Sequence, residues 1–165
     1  MEPNVRPARL SDAAVVADFN ARLANETEGR LLDPGRLRAG VEALIQDASK
    51  GVYYVAEIEN SATFKVIGQL LLTYEWSDWR NGTFWWIQSV FVSKPFRGRG
   101  VFRTLYKYVR EMARSRPDVC GLRLYVEREN LKAQQTYASL GMHRTAYEMF
   151  EVDFVMTTAS DLAPE

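Results

Sequence analysis

The chain opens on a short apolar stretch, Val5-Arg6-Pro7, whose proline cannot donate to a ladder and so suits an edge strand. The period then turns helical. Val15, Val16, Phe19 and Leu23 form one stripe in a segment that Ser11 or Asp12 can cap and that runs to about Asn25. Asp33 before Pro34 marks a second helix start, with Leu37, Val41, Leu44 and Ile45 on its buried side and Gly51 past its end. Strand-like runs follow over 52–58, 66–74 and 84–92, parted by a polar turn at Glu59-Asn60-Ser61 and a loop holding Asn81-Gly82, the pattern of an antiparallel meander. Val101, Phe102, Leu105, Val109 and Met112 restore helical spacing ahead of Pro117, and Leu122 to Val126 reads as a fifth strand. Leu131 to Leu140 reads as another helix, stopped by Gly141, and Arg144 to Phe154 alternates like a final strand. Thr157 to Glu165 is small and polar and reads as a disordered tail.

This order predicts one mixed α+β domain over residues 1–156, in which the strand after the central helix runs parallel to the strand before it. Composition narrows the function. A hydrophobic content of 47% in 165 residues fits one core. Twenty-one basic side chains balance twenty-one acidic ones, so no global field recruits nucleic acid. Cys120 is the only cysteine, which excludes an internal disulfide framework and fits a reducing cytoplasm. No apolar run approaches the ~20 residues of a membrane span, and His143 has no cysteine or acidic cluster at ligand spacing, so neither a membrane nor a metal is expected.

The chemistry concentrates at one junction. Phe91-Val92-Ser93-Lys94-Pro95-Phe96-Arg97-Gly98-Arg99-Gly100-Val101 joins an apolar strand to a helix through a loop with two glycines and two arginines. A helix start leaves backbone N–H groups unpaired and carries partial positive charge, and glycines let a phosphate approach them. Lys94 to Arg116 holds eight Lys or Arg against Glu111 alone, a local excess of +7 in a neutral chain. The Lys-Ser or Lys-Thr of a P-loop is missing, as is an early GxGxxG for a dinucleotide.

These residues resemble the GNAT acetyltransferase family, whose signature is Arg or Gln, two residues, Gly, one residue, then Gly or Ala. Arg97-Gly98-Arg99-Gly100-Val101-Phe102 matches five of the six places and departs at Phe102. A second match follows in Leu122-Arg123-Leu124-Tyr125-Val126-Glu127-Arg128-Glu129-Asn130, with Ala133, Tyr137 and Leu140-Gly141-Met142 downstream. The resemblance implies a three-layer fold: a mostly antiparallel twisted sheet of six to seven strands with one splayed parallel pair, flanked by about four helices.

It also implies acetyl-CoA as co-substrate, coenzyme A as product, and acetyl transfer to a primary amine by direct attack in a ternary complex. The alternative is a non-catalytic acyl-CoA-binding module of the same fold. Arg97, Gly98, Arg99, Gly100, Val101 and Phe102 would hold the pyrophosphate. Val90, Phe91 and Val92 would pair with the pantetheine arm and supply an N–H to the reacting carbonyl, and Asn130 would bind the same arm. Tyr137, seven residues on and so on the same helical face, is the candidate acid for the departing thiolate. Tyr125 falls on the fifth strand where several relatives carry a carboxylate, which leaves Glu26, Glu75, Asp78 and Gln88 as candidates for the acceptor side. In this fold the loop between the first two helices, Asn25 to Gly29, helps shape the acceptor pocket. Trp76, Trp79, Trp85 and Trp86 offer an aromatic wall for an ammonium. The expected acceptor is a small-molecule or peptide amine, and edge strands and the tryptophan-rich region leave room for a homodimer.

Overall fold

The computed structural model describes residues 2–60 and 63–156, so the tail expected at 157–165 and Ser61 of the expected turn lie outside the described residues. Five strands form one sheet in the order β1-β2-β3-β4-β5: β1 Asn4–Pro7, β2 Val52–Asn60, β3 Thr63–Ser77, β4 Gly82–Val92 and β5 Val119–Arg123. The first four pair antiparallel and β5 lies parallel to β4. Four α-helices accompany them: α1 Ala13–Glu28, α2 Pro34–Gln46, α3 Val101–Arg114 and α4 Leu131–Ser139. The mixed α+β class is as expected, with five strands among the described residues where six to seven are expected. The chain divides into two compact units, Met1–Asn130 and Leu131–Glu165.

In the first unit the period of two along β2 and β3 sorts side chains between two helical layers. Tyr53, Val55 and Leu71 pack with Ala13 and Val16 of α1 and Val41 of α2. On the opposite face the Tyr54 hydroxyl meets the Met112 sulfur at 3.4 Å and its ring lies against Tyr108, both on α3. The helix starts are partly as expected. Asp33 accepts from the Arg36 amide at 2.7 Å and Pro34 opens α2. Asp12, by contrast, makes no side-chain cap to α1. It accepts from the Arg9 amide and pairs with Arg6 at 2.7 Å, and Arg6 also reaches Glu57, which ties the edge strand β1 to its surroundings.

Three further boundaries differ. α1 runs three residues past Asn25 because Gly29 takes a left-handed φ of 64° and returns its N–H to the Asn25 carbonyl, so residues 25–28 are helix rather than loop. Glu59 and Asn60 belong to β2 rather than to a turn. β5 begins at Val119, where the Thr83 amide reaches the Asp118 carbonyl at 2.8 Å, and its ladder ends at Trp86 opposite Arg123. Leu124, Tyr125 and Val126 therefore fall beyond the strand expected to contain them. Arg144 to Phe154 also belongs to no ladder among the described residues. Alternation makes a two-faced segment, but only hydrogen bonds to a neighbour make a strand.

Candidate functional site

β4 is paired on both sides only at its start. From Ile87 to Val92 its partner among the described residues is β3 alone, since the β5 ladder has ended. The direction of its backbone groups follows from one bond. Ser93 donates to the Ile67 carbonyl on β3 at 2.9 Å, so alternation turns the backbone of Val92 to the open edge. Its carbonyl there accepts from Arg97 Nε at 2.8 Å. Phe91, paired with Gln69, turns its backbone to β3 and buries its ring against Phe19, 4.9 Å between centroids. Of the three residues expected to meet the pantetheine arm, Phe91 is thus the anchor.

The strand ends in a 3-10 turn, Lys94–Phe96, and the loop then passes through Gly98 and Gly100 at φ of 74° and 82° into the first turn of α3. A Cβ on either glycine would meet nothing within 4 Å. Crowding is not what calls for glycine there. The left-handed backbone does, and the open space leaves the amides approachable. Underneath, Val101 packs against Gly68 of β3, where a Cβ would come within 3.1 Å of its side chain and of the Phe91 carbonyl. Sequence reading did not single out Gly68; it marks close approach of helix and strand. Arg99 and Arg103 are exposed, and Phe102 is half-buried against Tyr106, 6.1 Å between centroids.

Arg97 already has an anion. Its Nη2 donates to Glu26 at 2.6 Å, Lys94 stands 3.6 Å from the same carboxylate, and the guanidinium lies over the Phe91 ring. Burial pushes the Glu26 carboxyl up, but Arg97 and Lys94 outweigh it and hold it below the usual carboxylate range. Glu75 is held low as well, chiefly by the Trp86 indole, which donates to it at 2.5 Å, and by Arg123 at 2.9 Å. A general base works best with a pKa near the operating pH, so neither carboxylate is tuned for that task.

The remaining candidates separate. Gln88 donates to Thr73 at 2.6 Å, close to where β4 and β5 part. Asp78 is exposed and follows Ser77, nine positions along β3 from Gly68, about 30 Å of strand from the glycine loop. The tryptophans do not form one wall: Trp85 is 6% exposed in the core and Trp79 is 84% exposed, while Trp86 lies near Tyr125 on the Glu75 side. Asn130 immediately precedes α4 and its amide donates to the Glu127 carbonyl at 3.1 Å. In the second unit Tyr137 is half-buried on α4, and burial pushes its phenol up. Among the described residues no His, Cys, Asp and Glu group is arranged to hold a metal, and no helix is long and apolar enough to cross a membrane.

A family model described as acetyltransferase (GNAT) family matches residues 21–142. Among solved structures, a possible acetyltransferase from Clostridium difficile 630 is 44% identical, with a TM-score of 0.84, covering 94% of this chain and 100% of that one. A ribosomal-protein-alanine N-acetyltransferase from Brucella melitensis biovar Abortus 2308 is 16% identical, with a TM-score of 0.72 over 93% of this chain and 99% of that one. A predicted acetyltransferase with acetyl-CoA from Clostridium acetobutylicum is 17% identical, with a TM-score of 0.71 over 92% and 96%. The last two share the fold alone. No curated protein matches the chain.

Proposed function

The chain belongs to the GNAT acetyltransferase family, and on that premise we propose that it transfers the acetyl group of acetyl-CoA to a primary amine by direct attack with both substrates bound. One observation carries the reading: an anion-ready glycine loop opens onto α3 directly beside a strand edge that β5 leaves unpaired. The coenzyme supplies an acyl carbon already activated as a thioester. Arg97, Gly98, Arg99, Gly100, Val101 and Phe102 are proposed to hold its pyrophosphate, and Val90 and Val92 to receive the pantetheine arm with Asn130. An N–H on that open edge, fixed before the reaction begins, would stabilise negative charge developing on the carbonyl oxygen. Orientation of the two substrates supplies much of the remaining rate.

Tyr137 is proposed as the acid for the departing thiolate, in keeping with its match to the family position and with a phenol that burial keeps protonated. With Glu26 and Glu75 held ionised, the amine is proposed to lose its proton to water ordered near Gln88. Glu26 and Glu75 then contribute negative charge that favours a cationic acceptor, a small molecule or a peptide, whereas Asp78 is too far along β3 to take part. We further propose one acetyltransferase domain over 1–156, residence in a reducing cytoplasm in keeping with a lone cysteine, no nucleic-acid partner, and a homodimer as the assembly to look for.

Calorimetric titration of acetyl-CoA and coenzyme A, followed by thiol release across a panel of amines, tests the reading. Micromolar binding with release dependent on one amine class is expected. Binding without release to any amine would instead favour a coenzyme-binding module, and no binding would overturn the proposal. A companion measurement concerns Glu26. As a competitor for Arg97 it should weaken coenzyme binding, so Glu26→Gln is expected to tighten acetyl-CoA by about two- to fivefold, the scale of a partly exposed ion pair.

A further inference from the structure

Gln69 of β3 pairs with Phe91 of β4 and is fully buried, at 0% exposure. Its Nε2 donates to Asn20 Oδ1 on α1 at 2.7 Å and to the Ser89 backbone carbonyl on β4 at 3.3 Å. Asn20 Nδ2 in turn donates to the Tyr53 hydroxyl on β2 at 2.8 Å. Four residues from α1, β2, β3 and β4 are thereby linked in one chain of hydrogen bonds that ends on the Ser89 carbonyl. Burying this many polar groups is costly unless each is paired, and Gln69 Oε1 has no hydrogen-bond partner among the described residues, so packing alone gives no reason for a glutamine here.

The point of β4 that this chain reaches is irregular. Gln69 pairs with Phe91 and Leu71 with Gln88, so Leu70 alone faces both Ser89 and Val90, and β4 carries a bulge there. Ser89 has a φ of 48°, a left-handed angle that a residue with a Cβ adopts at a cost and holds only where its surroundings impose it. The bulge sets the phase of everything beyond it. Gln88 and Phe91, three residues apart, point to the same face, where regular alternation would put them on opposite faces. With Phe91 turned inward, Val90 and Val92 are left to the open edge.

We infer that Gln69, anchored by Asn20, is the positioning residue that holds the β4 bulge and so aims the backbone of Val90 and Val92 at the acyl-pantetheine arm. This rests on the coenzyme reading above, and two probes separate the claims. Adenosine 3′,5′-bisphosphate carries the nucleotide end without the pantetheine arm, whereas acetyl-CoA carries both. In Gln69→Met, which keeps length and removes the donor, acetyl-CoA affinity is expected to fall at least about tenfold while bisphosphate affinity stays within about twofold. Equal weakening of both ligands, or no change in either, would overturn the positioning role, since a residue that merely supports the fold has no reason to discriminate between them. Should Gln69→Met fail to fold, Asn20→Ala, which removes the anchor of Gln69 together with the bond to Tyr53 at a partly exposed helix position, is to be read by the same ratio, with about threefold selective loss expected. Wild type that binds neither probe would instead remove the coenzyme reading itself.

Discussion

Gly100→Asp is expected to weaken acetyl-CoA binding at least about 100-fold, roughly 2.8 kcal/mol, while leaving the protein folded. Two effects act together. Gly100 caps α3 with a φ of 82°, and aspartate is among the few side chains that tolerate the left-handed region and that serve well at a helix start. The new carboxylate would therefore satisfy the very amides that an incoming phosphate needs, and it would repel that phosphate with a full charge. Because nothing lies within 4 Å of a Cβ at this position, no steric collapse confuses the result. Calorimetry on wild type and variant, with melting temperature as the control for folding, reads the effect. An affinity unchanged within threefold would mean that the anion is held elsewhere.

Tyr137→Phe is expected to lower kcat by about 10²–10⁴-fold, the range of general acid catalysis, with acetyl-CoA affinity changed less than about threefold. Burial raises this phenol above its ordinary value of 10.0, so the form that carries the proton prevails at neutral and mildly alkaline pH. The sign matters for the pH profile. A group with a raised pKa remains an acid as pH climbs, and loss of rate through its ionisation is confined to pH above 10. A falling kcat limb that begins near neutrality and survives in the phenylalanine variant would belong to another group. Equal loss of kcat and affinity would make Tyr137 a packing residue.

Much of this was written locally in the chain. Asp33-Pro34 announced α2, and Gly98 and Gly100 announced left-handed backbone ahead of a helix, because in both cases the residue type answers the demand of its own φ and its nearest neighbours. The pieces that sequence reading missed depend on partners far along the chain. Glu26 and Arg97 are 71 residues apart, so nothing near either one identifies a carboxylate on the phosphate loop. Gly68 looks like a weak point in a strand until Val101 is seen against it. Ser89 gives no hint of a bulge, since the usual sign of a left-handed position is a glycine, and here a serine takes that φ with its carbonyl bonded by Gln69 from the neighbouring strand. The end of β5 was misplaced for a related reason: Leu124 to Val126 have strand-like side chains, but the neighbour that would pair with them has diverged.

The Glu26–Arg97 contact gives the two sides of the molecule something to exchange. Glu26 sits in the last turn of α1, where the helix terminus itself disfavours a negative charge, so the carboxylate relies on Arg97 and Lys94 to stay there. An anion that captures Arg97 releases Glu26 toward solvent, and a cation that captures Glu26 releases Arg97. Free energy is a function of state, so each event must promote the other by the same factor, whichever comes first. A protein with no net charge can in this way favour a polyanion and a cationic amine as a pair over either one alone.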